Sequence, residues 1–189
     1  MDNAWNDGEA DLVDETKFTT TGKAGWSAWN GWSPEEEFCD FAASFIRLHR
    51  PAHVIETGSG QGYTTRRIIE AMPKGGRVTL FETDRDMADV IRDHVPDWCA
   101  VHLDHPAPAH YRTADLTILD SLGKLRRREL NAWWKFSKPG AYLLTHDADD
   151  QRHQGSTNHA QLAQLIRRNR IPGVFLPNPR GGFLGQKAG

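Results

Sequence analysis

The chain has 189 residues, a length typical of one domain, and 38% of them are hydrophobic. Its 23 Lys and Arg against 25 Asp and Glu leave a net charge of −2, which provides no general attraction to nucleic acid or to an anionic membrane. No apolar run approaches the ~20 residues of a membrane-spanning helix. Two cysteines are too few for a disulfide framework, so we expect a location in the reducing cytoplasm.

The N-terminal region differs in composition from the rest of the chain. Residues 1–17 are rich in acidic side chains and predict a flexible tail. Residues 18–189 are expected to form a single domain, in which 18–50 provide a cap segment and a helix. Three tryptophans in the cap segment alternate with glycines, a pattern that favours an ordered loop.

The first helix is predicted to start at the sequence Ser33-Pro34-Glu35-Glu36. Ser33 is expected at the N-cap and Pro34 at the first helical position, with Glu36 completing a capping box. The apolar residues that follow recur at helical intervals, so one face of this helix is expected to pack on the rest of the domain.

Short apolar runs alternate with helical patterns after Pro51. The predicted strands cover 53–56, 78–82, 99–103, 116–120, 141–145, 174–176 and 183–185, and the predicted helices cover 64–72, 86–94, 126–136 and 159–168. This alternation predicts right-handed crossovers and a mostly parallel sheet with helices on both faces. The last two strands predict an antiparallel edge. We therefore expect an α/β fold, a three-layer Rossmann-like sandwich with its site at the C-terminal ends of the strands.

The segment after the first predicted strand has a glycine at every second position: Gly58, Gly60 and Gly62. Glycines let the backbone turn sharply and come close to a ligand, and the N-terminus of the next helix favours an anionic group. Glu56 ends the strand before this loop. Glu82 ends the next strand, twenty residues after Gly62, where a carboxylate can bind the two hydroxyls of a ribose.

The glycine spacing distinguishes two classes of nucleotide cofactor. The dinucleotide motif is G-x-G-x-x-G, whereas Tyr63 stands here in place of the third glycine. A carboxylate such as Glu56 suits a cationic ligand better than a pyrophosphate. The loop therefore favours an adenosyl ligand without phosphates over NAD(P), and over a tight turn that binds no ligand.

The sequence Glu56-x-Gly58-x-Gly60-x-Gly62, followed by Leu80-Phe81-Glu82, resembles the class I S-adenosylmethionine-dependent methyltransferases. Gly62-Tyr63-Thr64 is most similar to the loop end of the small O-methyltransferases of the catechol/caffeoyl-CoA type, which reads glycine–tyrosine–serine. The resemblance extends over about four-fifths of the chain. It implies a Rossmann-like methyltransferase domain with S-adenosylmethionine as its cofactor.

The resemblance also implies which residues bind the cofactor: Glu56, Gly58, Ser59, Gly60, Gly62, Thr64, Glu82, Asp104 and Asp120. Among them, Glu56 would approach the methionine amino group through water, and Thr64 would meet the methionine carboxylate. Glu82 would bind the ribose. Asp104 would lie beside the adenine, although turn propensity predicts equally that it is a turn residue before Pro106.

Methyl transfer requires an in-line approach to the sulfonium methyl, and a base or a metal must deprotonate a hydroxyl whose pKa is about 10. Asp120, His146 and Asp147 end two adjacent predicted strands and are expected to meet at one rim. The resembling family has an aspartate and then Asp-Asn at these positions, and they bind magnesium. Here His146 replaces the second aspartate and Asp147 the asparagine, and an imidazole suits Mn better than Mg.

Three interpretations of this rim stay open at this point. In the first, a divalent metal, Mg or Mn, is bound by Asp120, His146 and Asp147. In the second, His146 is the base of a metal-free site. In the third, Asp120 caps a helix and His146 is structural. Lys124 is one residue beyond the position of the family's catalytic lysine, and is either a displaced catalytic residue or a solvated one. The arginines at 126–128 are expected on a solvated helix face, without RNA binding.

The expected activity is methyl transfer from S-adenosylmethionine to a hydroxyl of a small-molecule acceptor, without nucleic-acid or membrane partners. Trp26, Trp29 and Trp32 would either cover the acceptor or pack on the sheet or on a second subunit of a homodimer. The Trp133-Trp134 pair is expected in the core or at such a dimer surface. The alternatives are an RNA or protein methyltransferase, a catalytically silent S-adenosylmethionine-binding protein, and an NAD(P)-dependent oxidoreductase.

Overall fold

The computed structural model describes residues 33–148, 157–178 and 180–189. The predicted acidic tail and the tryptophan loop of the cap segment lie outside the described residues. The helices are α1 (Glu36–His49), α2 (Tyr63–Ala71), α3 (Arg85–His94), α4 (Pro108–Thr113), α5 (Gly123–Phe136) and α6 (Thr157–Arg168). The strands are β1 (His53–Thr57), β2 (Arg77–Glu82), β3 (Cys99–Leu103), β4 (Leu116–Leu119), β5 (Tyr142–His146), β6 (Gly173–Leu176) and β7 (Gly182–Gln186).

The strands form one sheet in the order β3-β2-β1-β4-β5-β7-β6. Strands β1 to β5 run parallel, and β7 pairs antiparallel with both β5 and β6. This topology confirms the predicted α/β fold with its antiparallel edge. The strand order reverses between β1 and β4, and at such a point the loops that leave the two strands diverge and open a crevice at their C-terminal ends.

Helices cover both faces of the sheet. Side chains from α1, α2 and α3 share one buried cluster with the sheet, whose members include Phe38, Ile46, Ile68 and Ile91. Side chains from α4, α5 and α6 share another, whose members include Tyr111, Leu130, Trp133 and Ile166. The predicted three-layer sandwich is therefore confirmed, with Trp133 in the core. None of the helices in the described ranges has the length and apolar character needed to cross a membrane.

The N-terminus of α1 differs from the prediction. The helix begins at Glu36, and Glu35 holds the N-cap position with an extended backbone and without a side-chain cap. Ser33 lies two residues earlier, so the predicted capping box is wrong. The physical reason is that the Glu35 carboxylate points into the interior, where the residue is 1% exposed and contacts His146.

The connection between β3 and β4 contains a helix that the sequence patterns do not predict. Pro108–Thr113 form α4, whose buried residue is Tyr111. Six residues with one buried side chain are too few to show a helical period, so the sequence pattern does not predict this helix. Helix α5 begins at Gly123, three residues before the predicted start.

Candidate active site

A cavity of about 530 Å³ lies at the crevice beside the C-terminal ends of β1, β2 and β4. Its volume is in the range of small-molecule binding sites. The wall includes seven of the residues predicted to bind the cofactor: Gly58, Ser59, Gly60, Thr64, Glu82, Asp104 and Asp120. Two others, Glu56 and Gly62, do not line it.

Gly58 lets the loop after β1 approach the end of β4. Its φ is +71°, and a Cβ there would lie 2.5 Å from the Cα of Ser121 and 2.7 Å from the carbonyl oxygen of Asp120. Its amide donates to the carbonyl of Phe81 at the end of β2. A side chain at this position would therefore push apart the two loops that form the cavity.

Glu82 connects the glycine loop to the end of β2. Its Oε2 accepts a hydrogen bond from the Gly60 amide at 2.8 Å, and its Oε1 accepts from the amides of Thr83 and Asp84 at 2.7 and 3.0 Å. The residue is 8% exposed and lines the cavity. Three backbone donors thus hold the carboxylate in one orientation, with lone pairs remaining for a bound hydroxyl.

Glu56 is buried behind the loop. Its Oε2 accepts a hydrogen bond from the Thr65 hydroxyl at 2.5 Å, and the residue is 1% exposed. Burial raises the pKa of Glu56 to about 8, so the neutral acid predominates at pH 7. The carboxyl contacts α2 instead of the cavity, and the geometry gives no support to the predicted approach to a methionine amino group.

The cavity wall after β3 and along α5 carries two acids. Asp104 is exposed, and its Oδ1 accepts from the amide of the next residue, so it is a turn residue that also borders the cavity. Glu129 lines the cavity and was missed by the sequence analysis. Its Oε2 accepts from the hydroxyls of Thr57 and Ser121 at 2.9 and 2.5 Å. No sequence pattern indicated this position, since the arginines at 126–128 predict a solvated face for this part of the helix.

The structure brings Asp120, His146 and Asp147 together, as the strand-end argument predicts. One ligand atom of each lies within 4.8 Å of the others. They belong to a larger group, which we call the ion cluster: Glu35, Asp120, Arg126, His146, Asp147 and Arg180. Asp120 is the member that lines the cavity.

His146 lies in the centre of the ion cluster and is 1% exposed. Its Nε2 is 2.6 Å from Oε2 of Glu35, and its Nδ1 is 3.3 Å from Oδ1 of both Asp120 and Asp147. Burial lowers the pKa of His146, but Asp147, Asp120 and Glu35 outweigh it and raise that pKa to about 9. These carboxylate contacts favour the protonated ring, and a metal ligand at this position would have to lose that proton.

Arg126 is buried at 5% exposure, so the predicted solvated position is wrong for this arginine. Its Nη2 donates to Asp120 Oδ1 at 3.0 Å, and its Nη1 donates to Asp147 Oδ2 and to the His146 carbonyl, both at 2.9 Å. The reason is its place in the first turn of α5, on the same helix face as the buried Glu129. Lys124, by contrast, is exposed and lies away from the cavity wall, which fits its solvated interpretation.

Glu35 and Arg180 complete the ion cluster, and the sequence analysis missed both. The Arg180 amide donates to Glu35 Oε1 at 3.1 Å, and its Nε lies 3.6 Å from that oxygen and 3.8 Å from Asp147 Oδ1. Burial raises the pKa of Glu35, but His146 and Arg180 outweigh it and lower that pKa to about 2. No local pattern connects residues 145 positions apart.

The donor set of the rim does not fit a divalent metal. Both carboxylates that would bind the ion accept hydrogen bonds from Arg126. Both nitrogens of His146 contact carboxylates. A divalent metal would therefore have to compete with the Arg126 guanidinium for both carboxylates.

Comparison with known proteins finds similarity to methyltransferases. Residues 55–148 match the family model described as a methyltransferase domain. The ribosomal RNA small subunit methyltransferase A of Chlorobium phaeobacteroides (strain BS1) is 32% identical over 92 residues, which cover 49% of this chain and 32% of that protein. The chain therefore aligns with about a third of the length of this curated relative.

Solved structures share the fold at low sequence identity. The O-methyltransferase from Bacillus cereus, in complex with S-adenosylhomocysteine, has a TM-score of 0.69 at 16% identity and covers 83% of each chain. The O-methyltransferase TomG from Streptomyces achromogenes, in complex with S-adenosylmethionine, has a TM-score of 0.62 at 18% identity. That match covers 84% of this chain and 82% of TomG.

Proposed function

We propose that the chain is an S-adenosylmethionine-dependent methyltransferase and that it methylates a hydroxyl of a small-molecule acceptor. The observation that supports this proposal is a single cavity with Glu82 and the glycine loop on one part of its wall and Asp120 on another. One cavity can thus hold the methyl donor and place an acceptor oxygen beside it.

The cofactor would bind along the loop after β1 and the end of β2. Bound S-adenosylmethionine supplies a methyl group on a sulfonium sulfur. Glu82, already held by three backbone amides, would accept hydrogen bonds from the ribose hydroxyls. Apolar side chains on the cavity wall, Phe81, Met87 and Leu125, provide surface for a flat base.

On the acceptor side we assign the catalytic role to Asp120. Transfer forms a carbon–oxygen bond, breaks the carbon–sulfur bond and releases the hydroxyl proton, which needs a base close to the acceptor. The Asp120 carboxylate lines the cavity, whereas His146 does not, and both nitrogens of its ring contact carboxylates. His146 would therefore be a positioning residue that orients Asp120, and not the base itself.

The test is a screen for S-adenosylhomocysteine release by the purified chain, with catechols, flavonoids, sugars and tRNA as acceptors. We expect turnover with a small hydroxyl compound and none with tRNA. Asp120→Asn keeps the size of the side chain and should lower kcat at least 100-fold, since a general base typically contributes that much. Turnover with tRNA alone would reject the proposal in favour of RNA methylation, the alternative to which the ribosomal RNA relative points.

A further inference from the structure

We propose that Arg126 is the built-in cation of the ion cluster: its guanidinium takes the place of a divalent metal between Asp120 and Asp147 and holds Asp120 at the cavity wall. The second half of this proposal rests on the acceptor-side role proposed above for Asp120. The first half concerns metal binding alone and needs no activity.

The geometry places one planar cation between two strand ends. Asp120 follows β4 and Asp147 follows β5, and Arg126 donates to one oxygen of each through separate nitrogens at 3.0 and 2.9 Å. A third bond to the His146 carbonyl, at 2.9 Å, fixes the plane of the guanidinium. Arginine suits this task because its donors form a rigid fork and its charge persists when buried.

Other groups of the ion cluster also have partners, although within the described residues Asp147 Oδ1 accepts no hydrogen bond. Glu35 accepts from Asn178 at 3.2 Å and from the Arg180 amide, besides its contact with His146. Asp147 Oδ2 lies 3.6 Å from Nε2 of His159 as well. A metal entering here would have to displace the guanidinium and strip two carboxylates of their hydrogen bonds, which buried ion pairs resist.

The same bonds explain how Arg126 would act on the acceptor site. Within the described residues, the side-chain contacts of Asp120 all involve Oδ1, which meets Arg126 and His146. Oδ2 therefore takes part in neither of these two contacts. Asp120 also lines the cavity. Arg126 is therefore a positioning residue: it fixes one carboxylate oxygen so that the other can face an acceptor.

The decisive experiment measures Mn²⁺ binding to the full chain by electron paramagnetic resonance, without cofactor or acceptor. Wild type is expected to show no saturable binding up to millimolar Mn²⁺. Arg126→Met removes the charge at similar length, so it should bind about one Mn²⁺ per chain and gain thermal stability from it. Arg126→Lys keeps the charge and Arg128→Met changes an exposed arginine of the same helix, so neither should bind the ion.

Two results would overturn the proposal. One is saturable Mn²⁺ binding by wild type, and the other is a folded Arg126→Met protein that binds none. If Arg126→Met is recovered unfolded, it is refolded in the presence of Mn²⁺. Failure of Mn²⁺ to restore the near-ultraviolet circular dichroism spectrum would also count against the proposal.

A kinetic readout separates positioning from mere stability. With an active acceptor, EDTA should leave wild-type kcat unchanged, and Arg126→Met should lower kcat at least tenfold without weakening S-adenosylmethionine binding. Arg126→Lys should recover part of that loss. An equal loss in the two variants would contradict the positioning role. Wild type without turnover on any acceptor would instead count against the proposed function, while the Mn²⁺ titration would still decide the metal question.

Discussion

Two glutamates on opposite sides of the site are buried to the same extent, at 1% exposure, yet carry different charges. Glu56, at the end of β1, bonds to a threonine hydroxyl, and burial raises its pKa to about 8. Glu35, just before α1, is subject to the same effect of burial, but His146 and Arg180 outweigh it and lower its pKa to about 2. Burial alone therefore does not decide the charge of an acid; its partners do.

The two regions around these acids, the glycine loop near Glu56 and the ion cluster that contains Glu35, also differ in how they are built. In the glycine-loop region, Glu82 accepts hydrogen bonds from backbone amides at most 22 positions away in sequence, as the contact with Gly60 illustrates. The ion cluster joins side chains as far as 145 positions apart and balances charge against charge. We expect the cofactor region to respond to changes of shape and the ion cluster to changes of charge.

The largest effect is expected from Glu35→Ala. The change leaves the His146 imidazolium without its 2.6 Å partner in a buried place, which should cost about 3–5 kcal/mol of unfolding free energy. Urea denaturation measures it. Glu36→Ala, one residue on and partly exposed, serves as the control and should cost less than about 1 kcal/mol. Equal losses in the two variants would mean that the ion cluster does not stabilise the fold.

Gly58→Ala tests the shape of the other region. The new Cβ would meet the backbone at 2.5 Å and sit at a positive φ, so we expect a loss of about 2–4 kcal/mol. At Gly60 the φ is also positive, but the nearest atom lies 4.0 Å away, and Gly60→Ala should cost only about 1 kcal/mol. Chemical denaturation measures the free energy of unfolding of both variants. Equal losses in Gly58→Ala and Gly60→Ala would disprove the close approach of Gly58 to Ser121.

Glu82→Gln addresses cofactor binding without a large change of shape. Replacing a charged acceptor of the ribose hydroxyls should weaken S-adenosylmethionine binding by ~1.5–3 kcal/mol, which is at least tenfold in Kd. Isothermal titration calorimetry measures the affinity, with Glu70→Gln on the exposed side of α2 as the control. An unchanged Kd in a folded Glu82→Gln protein would remove the residue from the cofactor site.

Glu56→Gln should change the pH dependence of stability. A raised pKa means that the folded state holds the proton of Glu56 more tightly than the unfolded state does. The free energy of unfolding that this proton contributes is fully present below pH 4.5 and is lost as pH rises through about 8. The loss is at most ~1.4 kcal/mol per pH unit. His146, also raised, adds a loss between pH 6.5 and about 9. In Glu56→Gln this contribution should be absent, so the decline below pH 6.5 should be smaller, and what remains there comes from Glu129, whose pKa burial also raises. Urea denaturation from pH 4.5 to 9 shows it, and an unaltered profile would contradict the buried neutral acid.

Sequence patterns determined the sheet of this protein and the glycine-loop side of its cavity. Alternation and turn residues are local, so strands β1 to β5 and the ends that they bring to one rim follow from spacing alone. The same argument placed Asp120, His146 and Asp147 together, because parallel strands end at the same edge. Helix α4 could not be predicted in this way, because a helix of six residues with one buried side chain is too short to show a period.

Only the tertiary structure decided what the charges do. The sequence next to Glu35 is typical of a helix cap, and the sequence around Arg126 is typical of a solvated helix; each side chain instead points inward to partners from distant elements. Whether a carboxylate is neutral, ion-paired or free to bind a metal depends on distances of 3 to 4 Å between segments that share no local pattern. For this reason the residues of the rim were predictable, and their pairing with Glu35, Arg126 and Arg180 was not.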